Sequence, residues 1–206
     1  MCFYAEPAQF RNLGGRTLST PLPASGNRND DRFDVAVLRM SGKGLPPYPL
    51  VGKKALPYEM LSQKPPARNG DHHLLIGFPA SQAKINRSDG TQTSGDWPIA
   101  TTTISVDEYK HHRLEYGAHI AMPWKKRKIL GRDMKRVNPI GLPGMSGSPL
   151  FRILDDDEEG ADSGIEVVGV FIEHRKRSSI LVATTAAIVV DMIAKLNTDR
   201  PLVPDA

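Results

Sequence analysis

Residues 139–150 read Pro-Ile-Gly-Leu-Pro-Gly-Met-Ser-Gly-Ser-Pro-Leu, and the rest of the chain is best read outward from them. Within this stretch, Gly144-Met145-Ser146-Gly147-Ser148-Pro149 sets a serine between two glycines. Glycine tolerates φ > 0, so the backbone around Ser146 can turn sharply and present its amides. Two N–H groups aimed at one point, from Gly144 and Ser146, would hold a developing oxyanion. The Ser146 hydroxyl beside them is then the natural nucleophile for acyl transfer. The plainer reading is a Gly/Ser/Pro turn between two strands, and six residues alone do not separate the two.

The surroundings are those of a β-rich protein. Among 206 residues, 18 are glycine and 17 proline, and short apolar runs recur between them. That pattern favours strands and turns over helices. Strands are expected at Arg16 to Thr20, Phe33 to Leu38, Leu74 to Ile76, Thr101 to Val106 and Ala118 to Met122. Phe151 to Leu154 and Glu166 to Ile172 read as a hairpin pair, and Ile180 to Ala183 as the last strand. Thr184 or Thr185 then caps a helix whose Ile188, Met192 and Leu196 share one face. Residues 41–50, with three prolines, form an extended connector.

Gly-x-Ser-Gly-x-Pro resembles the nucleophile motif of chymotrypsin-like serine peptidases, including bacterial trypsin-like enzymes. Three further stretches match in the family's order. Asp34 heads Asp-Val-Ala-Val-Leu, which resembles the strand carrying the triad aspartate. Asn69 to Pro79 (NGDHHLLIGFP) is similar to the family's Gly-Asp-x-Val-x-x-x-Gly-x-Pro strand. Val167 to Glu173 (VVGVFIE) resembles the strand lining the primary specificity pocket. The resemblance covers about residues 16–196, and it implies an all-β fold of two β-barrels with a C-terminal helix. On this reading the chain is one peptidase domain, with about 1–65 forming the remainder of the first barrel and connector. About 66–200 would form the second barrel and the helix.

The resemblance implies peptide-bond hydrolysis through an acyl-enzyme on Ser146, with Gly144 and Ser146 amides as the oxyanion hole. Asp34 would hold a histidine in the correct tautomer. Ile140 would lie at the floor of the substrate pocket, with Ile172, Glu173 and His174 along its wall. An apolar floor disfavours a buried basic side chain, because an unpaired buried charge costs several kcal/mol. Small or medium apolar side chains are therefore the expected preference.

One family element is missing. A triad of this type runs His, Asp, Ser along the chain, yet all six histidines follow Asp34: His72, His73, His111, His112, His119 and His174. Three explanations stay open. The first strands and the histidine lie before Met1, leaving the first barrel incomplete here; a sheet lacking its opening strands would expose raw edges. Alternatively, this is a catalytically inactive protease fold that binds a peptide or protein partner. Or a later histidine has moved into the site, His174 being the best placed.

Other classes fit less well. An α/β-hydrolase has the order Ser, Asp, His, but its elbow needs Gly-x-Ser-x-Gly and position 148 is serine. The single cysteine, Cys2, excludes an internal disulfide and a cysteine-based metal cluster. No histidine pair has metal-site spacing, and no cofactor is expected. The basic stretch 125–136 holds seven Lys or Arg. It reads as a solvated loop facing the acidic 155–162 loop, so nucleic acid is not an expected partner. No apolar run reaches membrane-spanning length and the N-terminus is not a signal peptide, which points to a cytoplasmic protein. The expected partner is a peptide or protein substrate, and nothing in the sequence sets the oligomeric state.

Overall fold

Ile180, Leu181, Val182 and Ala183 are four consecutive apolar residues, and all four are buried. A strand covered on one face alternates; one covered on both faces is apolar throughout. In the computed structural model, which describes residues 15–19, 31, 33–40, 56–64, 71–85, 92–124, 141–154 and 164–198, this strand lies between two separate cores.

The strands are β1 (Gly15–Ser19), β2 (Ala36–Met40), β3 (His72–Gly77), β4 (Ala83–Ile85) and β5 (Gln92–Ser94). They continue with β6 (Trp97–Thr102), β7 (His119–Pro123), β8 (Pro149–Ile153), β9 (Ile165–Arg175) and β10 (Ile180–Thr185). Two α-helices join them, α1 (Val106–His111) and α2 (Ala186–Thr198). Six strands form one antiparallel sheet in the order β6-β3-β8-β9-β10-β7. The sheet curls until its edge strands approach. Just beyond β6, the Ile104 amide donates to Ala121 O at 2.9 Å.

Alternation along each strand sorts side chains between the two cores. Leu75, Ile99, Ile120, Met122, Leu150, Leu181 and Ala183 belong to the inner cluster, with Met145 and Phe171. Ala121, Ile180 and Val182 belong to the outer one, which Val35, Tyr109, Ile172 and Met192 complete. Each fully buried Leu or Ile contributes about 1.5–3 kcal/mol by leaving water. The fold is therefore all-β with a C-terminal helix, as the sequence suggests. Of the expected first barrel, the described residues give the antiparallel hairpin β1–β2, paired from Gly15↔Met40 to Ser19↔Ala36.

The expected strands differ from the observed ones by a few residues at their ends, and two of the differences have a clear local cause. The run from Phe33 becomes β2 only at Ala36, because Asp34 has φ +40°, a left-handed conformation that no strand continues through. The run Thr101 to Val106 stops being a strand at Thr102, and Val106 opens α1. The cause is a capping box. The amide and hydroxyl of Ser105 donate to Glu108 Oε2 at 3.0 and 2.8 Å. Ser-x-x-Glu was legible in the sequence and outweighs the β-branched run before it.

Candidate functional site

The turn carrying Ser146 hangs from two side chains. Leu142 and Met145 are both buried in the inner core, and they fix the turn against the barrel. Between and beyond them the backbone closes on itself. Met145 donates to Leu142 O and Ser148 to Met145 O, each at 3.0 Å. The turn is then tied to β9, since Gly147 N–H donates to Phe171 O at 2.7 Å and Phe171 N–H to Ser148 O at 2.8 Å. Ser146 is left exposed at the tip.

Both flanking glycines have the conformation their positions suggest: φ is +91° at Gly144 and +88° at Gly147. At Gly144 space is also short. A Cβ there would lie 2.8 Å from Ala80 N and 3.2 Å from Phe78 O. Ala80 N–H in turn donates to Pro143 O at 2.8 Å, so the segment after β3 braces the serine turn directly. Phe78 on that segment remains about half exposed beside Gly144. The sequence reading did not single it out, although a large apolar residue between Gly77 and Pro79 was a visible signal.

The Ser146 hydroxyl donates to Ile172 O at 3.1 Å. That brings together two residues the sequence assigned to the site. The neighbouring residues of β9 diverge. Phe171 points into the inner core, while Ile172 packs into the outer one. Glu173 Oε1 accepts from Arg175 Nε at 2.6 Å. His174 sets its ring edge-to-face with Trp124, centroids 6.0 Å apart. Neighbouring strand residues face opposite sides, and the β9–β10 pairing also shifts register between Val182 and Ala183. Ile140 lies outside the described residues.

Asp34 is exposed, and its neighbours on both sides are fixed. Phe33 stacks on His119 at 5.7 Å, and its carbonyl accepts from Thr184 Oγ1. Val35 is buried in the same cluster as Ile172. Asp34 thus adjoins a residue of the outer core, and no hydrogen bond joins Asp34 to Ser146 among the described residues. A left-handed non-glycine residue costs about 1–2 kcal/mol and persists only where its surroundings over-determine it.

Of the histidines, His73 and His119 are buried. His73 Nδ1 lies 2.8 Å from Asp71 O, and burial lowers its pKa below 6.5. His119 Nδ1 lies 3.2 Å from both the amide and the carbonyl of Glu115. His72 is exposed, as expected from alternation along β3. The described residues hold no group of three or more His, Cys, Asp or Glu placed for a metal ion. No helix among them is long and apolar enough to cross a membrane.

The comparisons with known proteins stop at the level of shape. No family model and no curated protein sequence matches the chain. A solved structure of a Glu endopeptidase in complex with MPD is similar, with a TM-score of 0.43 and 16% identity. The match covers 90% of this chain and 65% of that one. The chain thus spans just under two thirds of the solved protein it resembles.

Proposed function

We propose that the Ser146 turn is the nucleophile turn of a serine-type peptidase acting on peptide or protein substrates. The observation that carries this reading is an exposed serine between two left-handed glycines, on a turn locked to β9. Gly144 and Ser146 would supply oxyanion donors; the amides of Met145, Gly147 and Ser148 are engaged by backbone carbonyls within the turn or on β9. An exposed hydroxyl suits attack on a bound carbonyl, and donors fixed beforehand cost no reorganisation as charge develops.

The chemistry still needs a base. The Ile172 carbonyl to which the hydroxyl donates is not a group that can take its proton. Asp34, exposed on its strained turn, is the carboxylate that would orient an imidazole. The substrate pocket would lie between Ile140 and the β9 segment Ile172, Glu173 and His174. Because Glu173 is engaged by Arg175, it leaves an apolar side chain preferred over Lys or Arg.

A second reading, peptide binding without turnover, is favoured by that same hydroxyl bond to a main-chain carbonyl. Activated esters of N-acylated apolar amino acids separate the two. With added imidazole as the base, the chain should hydrolyse them above the imidazole background, and Ser146→Ala should remove the excess. Equal rates for wild type and Ser146→Ala, with peptide binding intact by fluorescence anisotropy, would establish the binding reading instead.

A further inference from the structure

At the far end of β3 from the serine turn, the inner face ends in a histidine rather than an apolar residue. His73 alternates with Leu75 on the inward face, and both are fully buried. Its Nδ1–H donates to Asp71 O, which makes Nε2 the acceptor nitrogen of a neutral ring. Nε2 meets no hydrogen-bond partner among the described residues.

Its neighbours leave no place for a positive charge. On β8 the residue paired with His73 is Arg152, and on β6 it is Thr101. Arg152 is already held by Glu166 of β9 and by Asp71 at 3.6 Å. Among the described residues, the charged and titratable groups around the ring are therefore Asp71, His72, Arg152 and Glu166, two carboxylates gathered on one guanidinium. A proton on Nε2 would create a buried N–H with no acceptor among the described residues, beside that guanidinium.

Both strands that meet at this histidine run to the serine turn. β8 begins at Pro149, three residues after Ser146. β3 ends at Gly77, where an added Cβ would meet Ser148 Oγ and, at 2.9 Å, Met145 Cε. Between them lie the pairs Leu74↔Phe151 and Leu75↔Leu150.

We propose that His73 is an acid-sensitive latch, neutral when the barrel is closed, whose protonation loosens the β3–β8 pairing and with it the Ser146 turn. The sign follows from the ring's surroundings. Desolvation depresses the folded-state pKa most, Arg152 and His72 act in the same direction, and Asp71 opposes them. The unfolded chain then binds the proton more readily, so stability is complete above about 6.5 and falls as pH drops below it.

The test is histidine NMR titration of the intact chain, with amide exchange at pH 7.5 and 5.5 corrected for intrinsic rates. His73 should titrate below 6.5. Protection of the Leu75, Leu150, Gly147 and Ser148 amides should fall by about tenfold for each unit of pKa depression crossed. Amides in the middle of α2 should hold within about threefold on the same scale. His73→Asn, which keeps a donor for Asp71 O but does not titrate, should abolish the fall. A wild-type His73 pKa at or above 6.5, an equal fall in His73→Asn, or unchanged protection of Gly147 and Ser148 would each overturn the proposal. Should the variant not fold, the wild-type titration decides alone.

Discussion

At one end of β3 the Ser146 turn is held by main-chain hydrogen bonds and two left-handed glycines. At the other, side-chain charges meet: Arg152 with Asp71 and Glu166, beside a buried histidine. Backbone geometry tolerates no added atom but ignores salt and pH. A charge cluster tolerates changes of shape but depends on its partners remaining together. The two ends should therefore fail in different ways, and substitution can show whether they do.

The largest effect is expected at Gly144. Alanine there must adopt φ +91° and place its Cβ against Ala80 N and Phe78 O. Strain and overpacking together should cost about 3 kcal/mol, read as a lower urea midpoint at unchanged slope. A cost below about 1 kcal/mol would mean that the turn yields, and with it the contrast between the ends.

Arg152→Met comes next. Removing the guanidinium leaves Glu166, largely buried, without its partner, and the expected loss is about 2 kcal/mol. The loss should shrink in high salt, which screens the ion pair, whereas the Gly144→Ala loss should not. Equal behaviour of both variants across salt concentration would erase the distinction between the two ends.

Asp34→Gly sharpens the comparison from a third position. Glycine relieves the left-handed strain, so the variant should be more stable by about 1 kcal/mol while losing the carboxylate. A thermal-unfolding midpoint that falls instead would show that Asp34 contributes structure rather than position. Ser146→Ala should change stability least, by under about 1 kcal/mol, because the hydroxyl bond it removes, to Ile172 O, is only part-buried.

The serine end was legible in the sequence for the same reason it is rigid. Glycine at 144 and 147 is a direct record of backbone conformation, and Pro149 marks where β8 starts. The two-sided burial of Ile180 to Ala183 was likewise visible as an unbroken apolar run. Charged positions carry no such record. Arg152, Asp71 and Glu166 lie on three separate stretches of chain, and only the β3–β8–β9 register brings them together. Nor did the spacing of Phe171 to His174 reveal the register shift in their pairing with Val182 and Ala183. Asp34 was found by its place in an apolar run, but its left-handed conformation, which ends that run as a strand, was not.

Whether Ser146 is poised as a nucleophile can be measured directly by reacting the chain with a fluorophosphonate and locating the tag by mass spectrometry. A hydroxyl donating to a main-chain carbonyl is weakly nucleophilic, so labelling should be slow. Added imidazole should accelerate it, with the tag on Ser146 and no other serine, and Ser146→Ala should remain unlabelled. A tag spread evenly over exposed serines, or none at Ser146 even with imidazole, would contradict the reading of this turn as a nucleophile site.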